Sequence, residues 1–78
     1  MPAIQRITFE VGPVGRGWAV TRQGFDRDST HPTKDAAVQR AVKLARERQP
    51  SELIIRRLDG SVQETRIYGQ DPERLIGL

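Results

Sequence analysis

Two runs near the start of the chain alternate between apolar and polar side chains. In "ITFEV" every second residue is apolar, from Ile7 to Val11, and in "GWAVTR" Trp18 and Val20 fall on one side. Because successive side chains of a strand point to opposite faces, each run predicts a half-buried β-strand. The interval between them, "GPVGRG", predicts a hairpin turn in which glycines adopt positive φ and Pro13 stiffens the chain.

The middle of the chain changes to a helical period. Apolar residues three and four positions apart form one stripe of a helix, and these are Ala37, Val38, Ala41, Val42, Leu44 and Ala45. Thr33 is suited to the N-cap and Asp35 to the first turn, and Pro50 ends the helix because the residue before a proline avoids helical conformation. The preceding segment, "GFDRDSTHP", contains turn-forming and charged residues. One interpretation places a short edge strand there, around Phe25 to Asp28.

A second hairpin is predicted by "ELIIRRLDGSVQETRIYG", in which Asp59-Gly60 separates two strand-like runs. Both residues tolerate the positive φ that tight hairpin turns require. The register stays open, because a two-residue loop and a glycine-bulge loop bury different sets of Ile54, Ile55, Val62 and Ile67. The C-terminal tail, residues 70–78, is either a frayed end or a short helical turn after Pro72, and its apolar residues could dock: Leu75, Ile76 and Leu78.

These elements predict an α+β fold of β-hairpin, one α-helix and β-hairpin (ββαββ), with the helix packed on one face of an antiparallel sheet. At 78 residues we expect a single small domain spanning residues 1–78. A chain of this size buries only about 60% of the surface that its unfolded form exposes, so its core is thin. Small domains without disulfides or metals often bury more apolar surface by pairing with a second copy, and a homodimer is one expectation.

Composition narrows the chemistry. The chain has no cysteine, which excludes disulfides, thiolate metal sites and cysteine nucleophiles. Its first residues lack the apolar stretch of a signal peptide and no segment approaches about 20 apolar residues, so we expect a cytoplasmic protein without membrane contact. The net charge is +3, and arginine outnumbers lysine eleven to two. Arginine favours flat, bidentate contacts with phosphate or carboxylate groups.

Catalytic and ligand-binding motifs are incomplete. Gly12 and Gly17 have the spacing of a phosphate-binding loop, but tryptophan and alanine stand where that loop needs lysine and a hydroxyl, and a strand follows instead of a helix. The single histidine, His31, has neighbours that more often cap loops than form a triad or a calcium site: Asp26, Asp28 and Ser29. We therefore predict no enzymatic activity, no metal site, no cofactor and no small-molecule substrate.

The basic residues suggest a nucleic acid as an alternative partner, because phosphate contacts need only positive charge at suitable spacing. The candidate contacts for nucleic acid or another partner lie on the predicted helix and hairpins: Arg16, Arg22, Arg40, Lys43, Arg46, Arg48 and Arg57. The sheet face away from the helix mixes both signs, with Arg6 and Glu10 and, in one register, Glu64 and Arg66. Phe9 and Trp18 share the parity of the buried positions, so they are not expected to stack on bases.

Several short motifs occur in a recognisable order. They are Trp18-Ala19-Val20, Thr33-Lys34 with Ala36-Ala37, Leu53 and Ile55, Asp59-Gly60 and Tyr68-Gly69. In this order and spacing the chain resembles a small bacterial family, domain of unknown function 2188, whose members read W-x-V, a T-K-x-x-A helix start, L-x-I, D-G and a closing Y-G. The resemblance covers about residues 17–72 and leaves the N-terminal strand and the last six residues outside. It implies a β-hairpin, helix, β-hairpin domain and carries over no catalytic or binding residue.

Two functional hypotheses remain. The first is a non-enzymatic protein-interaction or self-associating structural module of unknown role, and the second is a basic nucleic-acid-binding protein that uses arginines of the helix and the first hairpin. A continuous positive stripe on the folded surface favours the second hypothesis, and separated patches favour the first.

Overall fold

The structure is a computed structural model that describes residues 6–69, which form five β-strands and one α-helix. In chain order they are β1 (Ile7–Val14), β2 (Gly17–Arg22), β3 (Arg27–His31), α1 (Lys34–Glu47), β4 (Ser51–Arg56) and β5 (Val62–Tyr68). The predicted α+β arrangement of two hairpins around one helix is confirmed. The prediction for the tail, residues 70–78, lies outside the described residues.

The strands form one mixed sheet in the order β3-β2-β1-β4-β5. Neighbouring strands are antiparallel except β1 and β4, which pair in parallel from Ile7 opposite Ser51 to Val11 opposite Ile55. The prediction of a purely antiparallel sheet is therefore wrong. The physical reason is β3: it runs in the direction of β1, and α1 carries the chain back across the sheet, so β4 starts at the same end as β1. Parallel neighbours require such a crossover.

The helix begins and ends close to the predicted positions. The Thr33 hydroxyl accepts a hydrogen bond from the Ala36 amide at 3.2 Å, which confirms the predicted N-cap, and Asp35 lies in the first turn. Arg48 caps the last turn, ahead of Pro50. The side chains that face the sheet are three fully buried alanines, Ala37, Ala41 and Ala45. Their small volume lets the helix approach the sheet closely.

The core lies between α1 and one face of the central strands. Phe9, Val11, Val20, Leu53 and Ile55 fill it with the helix alanines, and Trp18 is packed against its margin. The predicted alternation in β1 and β2 is thus confirmed. Ser51 is the one buried polar residue of the described chain, and its Oγ donates to the Ala45 carbonyl at 2.6 Å. The same carbonyl also accepts the Arg48 amide at 3.3 Å, so the last turn of the helix and the start of β4 meet at one acceptor.

The first hairpin turns over fewer residues than predicted. Val14 is opposite Gly17, so the loop consists of Gly15 and Arg16 alone, while Gly12 and Pro13 lie within β1. Only Gly15 of this interval has positive φ, at 53°, which is the glycine position of a type II′ turn. Pro13 fits because the β1–β4 pairing has already ended at Val11, so its missing N–H interrupts no ladder on that side.

The short strand before the helix lies two residues later than interpreted from the sequence. Residues 27–31 form β3 at one edge of the sheet, with a bulge opposite Val20 and Thr21 of β2. Phe25 is in the preceding turn, where its amide donates to the Arg22 carbonyl at 2.9 Å. The charged "RDS" segment gave no alternation from which its bounds could be predicted.

The second hairpin adopts the glycine-bulge loop of the two alternatives. The Gly60 amide donates to the Arg57 carbonyl at 2.9 Å, and the Arg57 amide donates to the Ser61 carbonyl at 2.8 Å. Gly60 has φ of 89°, the conformation that this loop requires at its last position. This loop places Val62 opposite Arg56, and a second bulge, at Gln63, then shifts the register so that Ile55 stands opposite Glu64. Ile55 is buried beneath the helix, whereas Val62 and Ile67 are exposed.

Candidate interaction surfaces

The seven basic residues predicted as contacts fall into two groups at opposite ends of the sheet. Because β1 and β4 are parallel, both hairpin tips lie at one end, and they carry Arg16 and Arg57. The other five extend from the middle of the helix to its end and to the end of β2: Arg22, Arg40, Lys43, Arg46 and Arg48. The seven therefore do not form one continuous stripe.

Arg40 is engaged in an ion pair with the edge strand. Its Nε lies 3.0 Å from one carboxylate oxygen of Asp28, and its Nη2 lies 3.2 Å from the other. The hydrogen bond from Arg40 is the main cause that lowers the pKa of Asp28, and Asp28 raises the pKa of Arg40 in return. In a bidentate pair two parallel hydrogen bonds join the guanidinium to the carboxylate, which makes this arrangement stronger than a single hydrogen bond. It ties α1 to β3, so Arg40 could contact a phosphate only by giving up Asp28.

Arg57 has a local role at the tip of the second hairpin. Its Nη1 donates to the Val62 carbonyl at 2.8 Å and lies 3.3 Å from the Ser61 hydroxyl. Ser61 in turn donates to Asp59 through its hydroxyl at 2.6 Å and its amide at 2.9 Å, which lowers the pKa of Asp59. Arg16, at the other tip, is exposed and has no side-chain partner among residues 6–69. Arg57 therefore stabilises the hairpin turn, whereas Arg16 faces solvent.

An aromatic ring lies exposed at the end of the sheet that carries the second group. Phe25 is 61% exposed, and the guanidinium carbon of Arg22 lies 4.0 Å from its ring centroid. Two shallow cavities of about 170 and 180 Å³ flank the ring, and Arg22 lines both. Arg48 lines the second cavity, together with Leu44 and the carboxylates of Asp26 and Asp28. The structure thus brings Arg22 and Arg48 together around an exposed aromatic side chain.

The remaining two predicted contacts lie on the second half of the helix. Lys43 is exposed, and the Arg46 guanidinium carbon lies 6.0 Å from the ring centroid of Tyr68 at the end of β5. At the start of the helix, Lys34 lies 5.1 Å from the Trp18 ring centroid and donates to the side chain of Gln63. These contacts hold the helix against the sheet margins.

β5 is the least covered strand of the sheet. One of its edges pairs with β4, no strand formed by residues 6–69 pairs with the other edge, and none of its residues is buried. Val62 and Ile67 are 47% and 40% exposed, and they lie on the face away from the helix because they stand opposite Arg56 and Glu52. An open strand edge presents unpaired backbone N–H and C=O groups to another chain. β5 therefore combines exposed apolar side chains with an available edge.

The opposite edge, β3, is shorter than β5 and is tied to the helix. It has five residues, a bulge at Asp28 and the Asp28–Arg40 ion pair with α1. Short length, charge and bulges are the usual devices that prevent edge pairing. β5 also has a bulge, but it lies at Gln63, near the start of the strand. β5 has seven residues without lysine or proline, and from Glu64 to Tyr68 it pairs with β4 without irregularity.

Two opposite charges stand side by side on β5. The Arg66 Nε and Nη2 lie 3.2 and 3.1 Å from the two carboxylate oxygens of Glu64. Arg66 lowers the pKa of Glu64, and Glu64 raises the pKa of Arg66, with a further hydrogen bond to Tyr68. Both stand opposite residues of β4 that are buried beneath the helix, Ile55 and Leu53. The expectation that they lie on the open face is therefore wrong: the register of the glycine-bulge loop would place them there, but the additional bulge at Gln63 moves them to the helix face.

A serine and a histidine lie close together on β3. The Ser29 hydroxyl is 2.8 Å from His31 Nε2, but Asp28 directs both carboxylate oxygens to Arg40 and does not orient the imidazole. Among residues 6–69 there is no group of three or more potential metal ligands. The fourteen-residue α1, the single helix in that range, is too short and too polar to traverse a bilayer.

Comparison with known families agrees with the order of motifs along the chain. The model of DUF2188, described as an uncharacterized protein conserved in bacteria, matches residues 9–68. The chain belongs to this family. The DUF2188 match runs from Phe9 in β1 to Tyr68 at the end of β5, so it includes most of the N-terminal strand that the motif resemblance left outside. No curated protein and no solved structure shows significant similarity to the chain.

Two surface features of this DUF2188 domain were missed by sequence reasoning. One interpretation of the sequence places Phe25 in a short strand, although the surrounding "QGFD" is a turn signal that could have placed it at the surface. β5 was recognised as a strand, but its position at the edge follows from the parallel pairing of β1 with β4, and no local signal in the sequence indicates that pairing.

Proposed function

We propose that this domain is a non-enzymatic protein-interaction module that associates with itself through β5. The observation that carries the proposal is the exposure of this strand: it is seven residues long, none of its residues is buried, and within residues 6–69 no strand pairs with its outer edge. Val62 and Ile67 add apolar area next to that edge. A domain with a thin core gains stability by covering such a surface.

Sedimentation velocity over a range of protein concentrations tests the proposal. A self-associating chain shows a weight-average mass that rises from 8.8 kDa toward twice that value. Because an interface built on one strand edge is small, we expect weak association, and the series should extend from about 10 µM to about 1 mM. A constant monomer mass up to the highest concentration would contradict the proposal.

A pair of variants separates β5 from the rest of the surface. Ile67→Lys places a charge beside the open edge, as natural edge strands do to prevent pairing, and we expect it to abolish association. Thr30→Lys makes the same charge change on β3, on the same face of the sheet, and we expect association to persist. Equal effects of the two variants would show that charge alone, and not β5, governs the association.

A second candidate function, nucleic-acid binding, is favoured by one observation: the exposed Phe25 ring beneath the Arg22 guanidinium, with Arg48 in the adjoining cavity. Single-strand binders stack bases on aromatic rings beside basic groups. If four basic residues of this end each neutralise one phosphate of a single strand, log affinity falls with log salt at a slope of about −2.8.

Fluorescence anisotropy with labelled single-stranded and duplex oligonucleotides tests this second function. Phe25→Ala and Arg48→Ala should each weaken binding to single strands, whereas Arg16→Ala at the far hairpin tip should leave it unchanged. The absence of binding at low salt would exclude the function for these oligonucleotides, and equal losses for Arg16→Ala would point to unspecific charge attraction.

A further inference from the structure

We infer that two copies of the chain pair their β5 strands antiparallel about a two-fold axis at Thr65, with Glu64 of each protomer opposite the partner's Arg66. This inference deepens the proposed self-association and rests on it. It specifies the occupant of the β5 edge as a second copy and specifies the register of the pairing.

Symmetry restricts the registers to be considered. Most homodimers have two-fold symmetry, and in an antiparallel pair directly opposed residues point to the same face. The axis must then pass beside a residue of the regular part of β5, where pairing with β4 is uninterrupted from Glu64 to Tyr68. Centres at Glu64, Thr65 and Arg66 give the greatest overlap of the two seven-residue strands.

Charge selects among these three centres. An axis at Glu64 places Glu64 opposite the partner's Glu64, and an axis at Arg66 opposes two arginines; like charges directly opposed destabilise a strand pair. An axis at Thr65 gives two Glu64–Arg66 pairs across the interface, and Thr65 then faces the partner's Thr65. Within each protomer Glu64 and Arg66 already lie 3.1 Å apart, so the four side chains form an alternating cluster. Networks of this kind contribute more than isolated surface pairs.

The position of the helix is compatible with this arrangement. Glu64 and Arg66 lie on the helix face of the sheet, because they stand opposite Ile55 and Leu53. The two helices therefore lie on the same face of a continuous sheet made from both five-stranded sheets. α1 packs on β1 to β4 and reaches β5 only with the side chains of Lys34, at Gln63, and Arg46, at Tyr68. No residue of β5 is buried, so the middle of the strand is left accessible to a partner strand.

Charge exchange tests the register. Glu64→Arg or Arg66→Glu alone replaces two opposite-charge pairs with two like-charge pairs, and we expect the dimer dissociation constant to rise about thirtyfold for each. The double variant E64R/R66E restores opposite charges at both positions and should return the dissociation constant to within about threefold of the original. Glu47→Arg on the exposed side of the helix changes the net charge as Glu64→Arg does and should leave dimerisation unchanged.

Cysteine cross-linking gives an independent measurement, because the chain has no cysteine of its own. Thr65→Cys places two thiols opposite each other, at the roughly 4.5–5.5 Å separation of opposed residues, which a disulfide can span. Ile67→Cys stands opposite the partner's Gln63, about 13 Å from its own symmetry mate, and serves as the matched control. Mild oxidation should convert the Thr65→Cys variant to a covalent dimer and leave Ile67→Cys largely monomeric.

The outcomes separate the register from the proposed function. A monomer at every concentration would overturn both. A dimer that tolerates both single charge variants, is not restored by the double variant, or is cross-linked equally through Ile67→Cys would overturn the register and leave self-association standing. Circular dichroism of each variant establishes that it is folded before its dissociation constant is compared.

Discussion

Gly17 is the residue of the first hairpin where an added methyl group should do the most harm. A Cβ atom at this position would lie 2.5 Å from the backbone oxygen of His31 and 3.5 Å from its carbonyl carbon. Trp18, the next residue, is opposite His31 in the β2–β3 ladder, so the clash is between two backbones and no side chain can rotate away. Gly17→Ala must therefore displace β3 from β2 or bend the end of the hairpin.

The expected magnitude follows from the size of that displacement. A carbon and an oxygen normally approach to about 3.4 Å, so the strands must separate by almost 1 Å, and overpacking of this order costs about 2 kcal/mol in the free energy of unfolding. For a domain of this size, 1 kcal/mol shifts the melting temperature by about 4–8 °C. We expect Gly17→Ala to melt about 8–16 °C below the unsubstituted protein.

Two neighbouring glycines supply the comparison. At Gly12 the added Cβ would meet only the Arg56 Cδ, at 3.7 Å, and φ is not positive, so we expect Gly12→Ala to change stability by less than about 1 kcal/mol. At Gly15 no atom lies within 4 Å, but φ is 53°, so Gly15→Ala should cost about 1–2 kcal/mol through backbone strain alone.

Urea unfolding monitored by circular dichroism measures all three variants. One protein concentration must be used throughout, because self-association makes apparent stability depend on concentration. If Gly17→Ala proves as stable as Gly12→Ala, the close approach of β2 and β3 at this point is refuted, and with it the reason given for glycine at this position.

Three further perturbations test the core and the ion pair. Leu53→Ala, at a fully buried site, should destabilise the domain by about 2–5 kcal/mol, whereas Leu58→Ala, 78% exposed at the hairpin tip, should change stability by less than about 0.5 kcal/mol in the same urea assay. Ser51→Ala removes the buried bond to the Ala45 carbonyl and should cost about 1–2 kcal/mol, and a value near zero would mean that another donor replaces it. Because Arg40 lowers the pKa of Asp28 in the folded state, their pair stabilises the fold above the ordinary aspartate range and is lost as the pH falls below about 4. Melting temperatures measured from about pH 2 to 6 should therefore fall less steeply at the acid end for Asp28→Asn than for the unsubstituted protein, and parallel curves would argue against the pair.

Local patterns were sufficient for most of the secondary structure. The alternation in β1 and the stripe of α1 each predicted both the element and its buried face, because one side of each element packs against the core. Thr33 and Asp59-Gly60 predicted a helix start and a hairpin turn, because caps and turns depend on the chemistry of a few adjacent residues. The strand prediction for β3 began two residues too early, because an exposed edge strand shows little alternation of apolar and polar residues.

The sequence by itself determined that the chain forms two hairpins and one helix, and that each of these elements has one apolar face. It also excluded chemistry that depends on cysteine. Only the tertiary structure decided that β1 and β4 pair in parallel, that β5 becomes an edge and that Glu64 and Arg66 lie on the helix face. Strand order depends on contacts between residues distant in the chain, and register depends on a bulge of one residue that moves side chains to the other face. The surfaces through which this domain can meet a partner also depend on the tertiary structure. The sequence identified the charged arginines, but the open edge of β5 could be recognised only in the folded sheet.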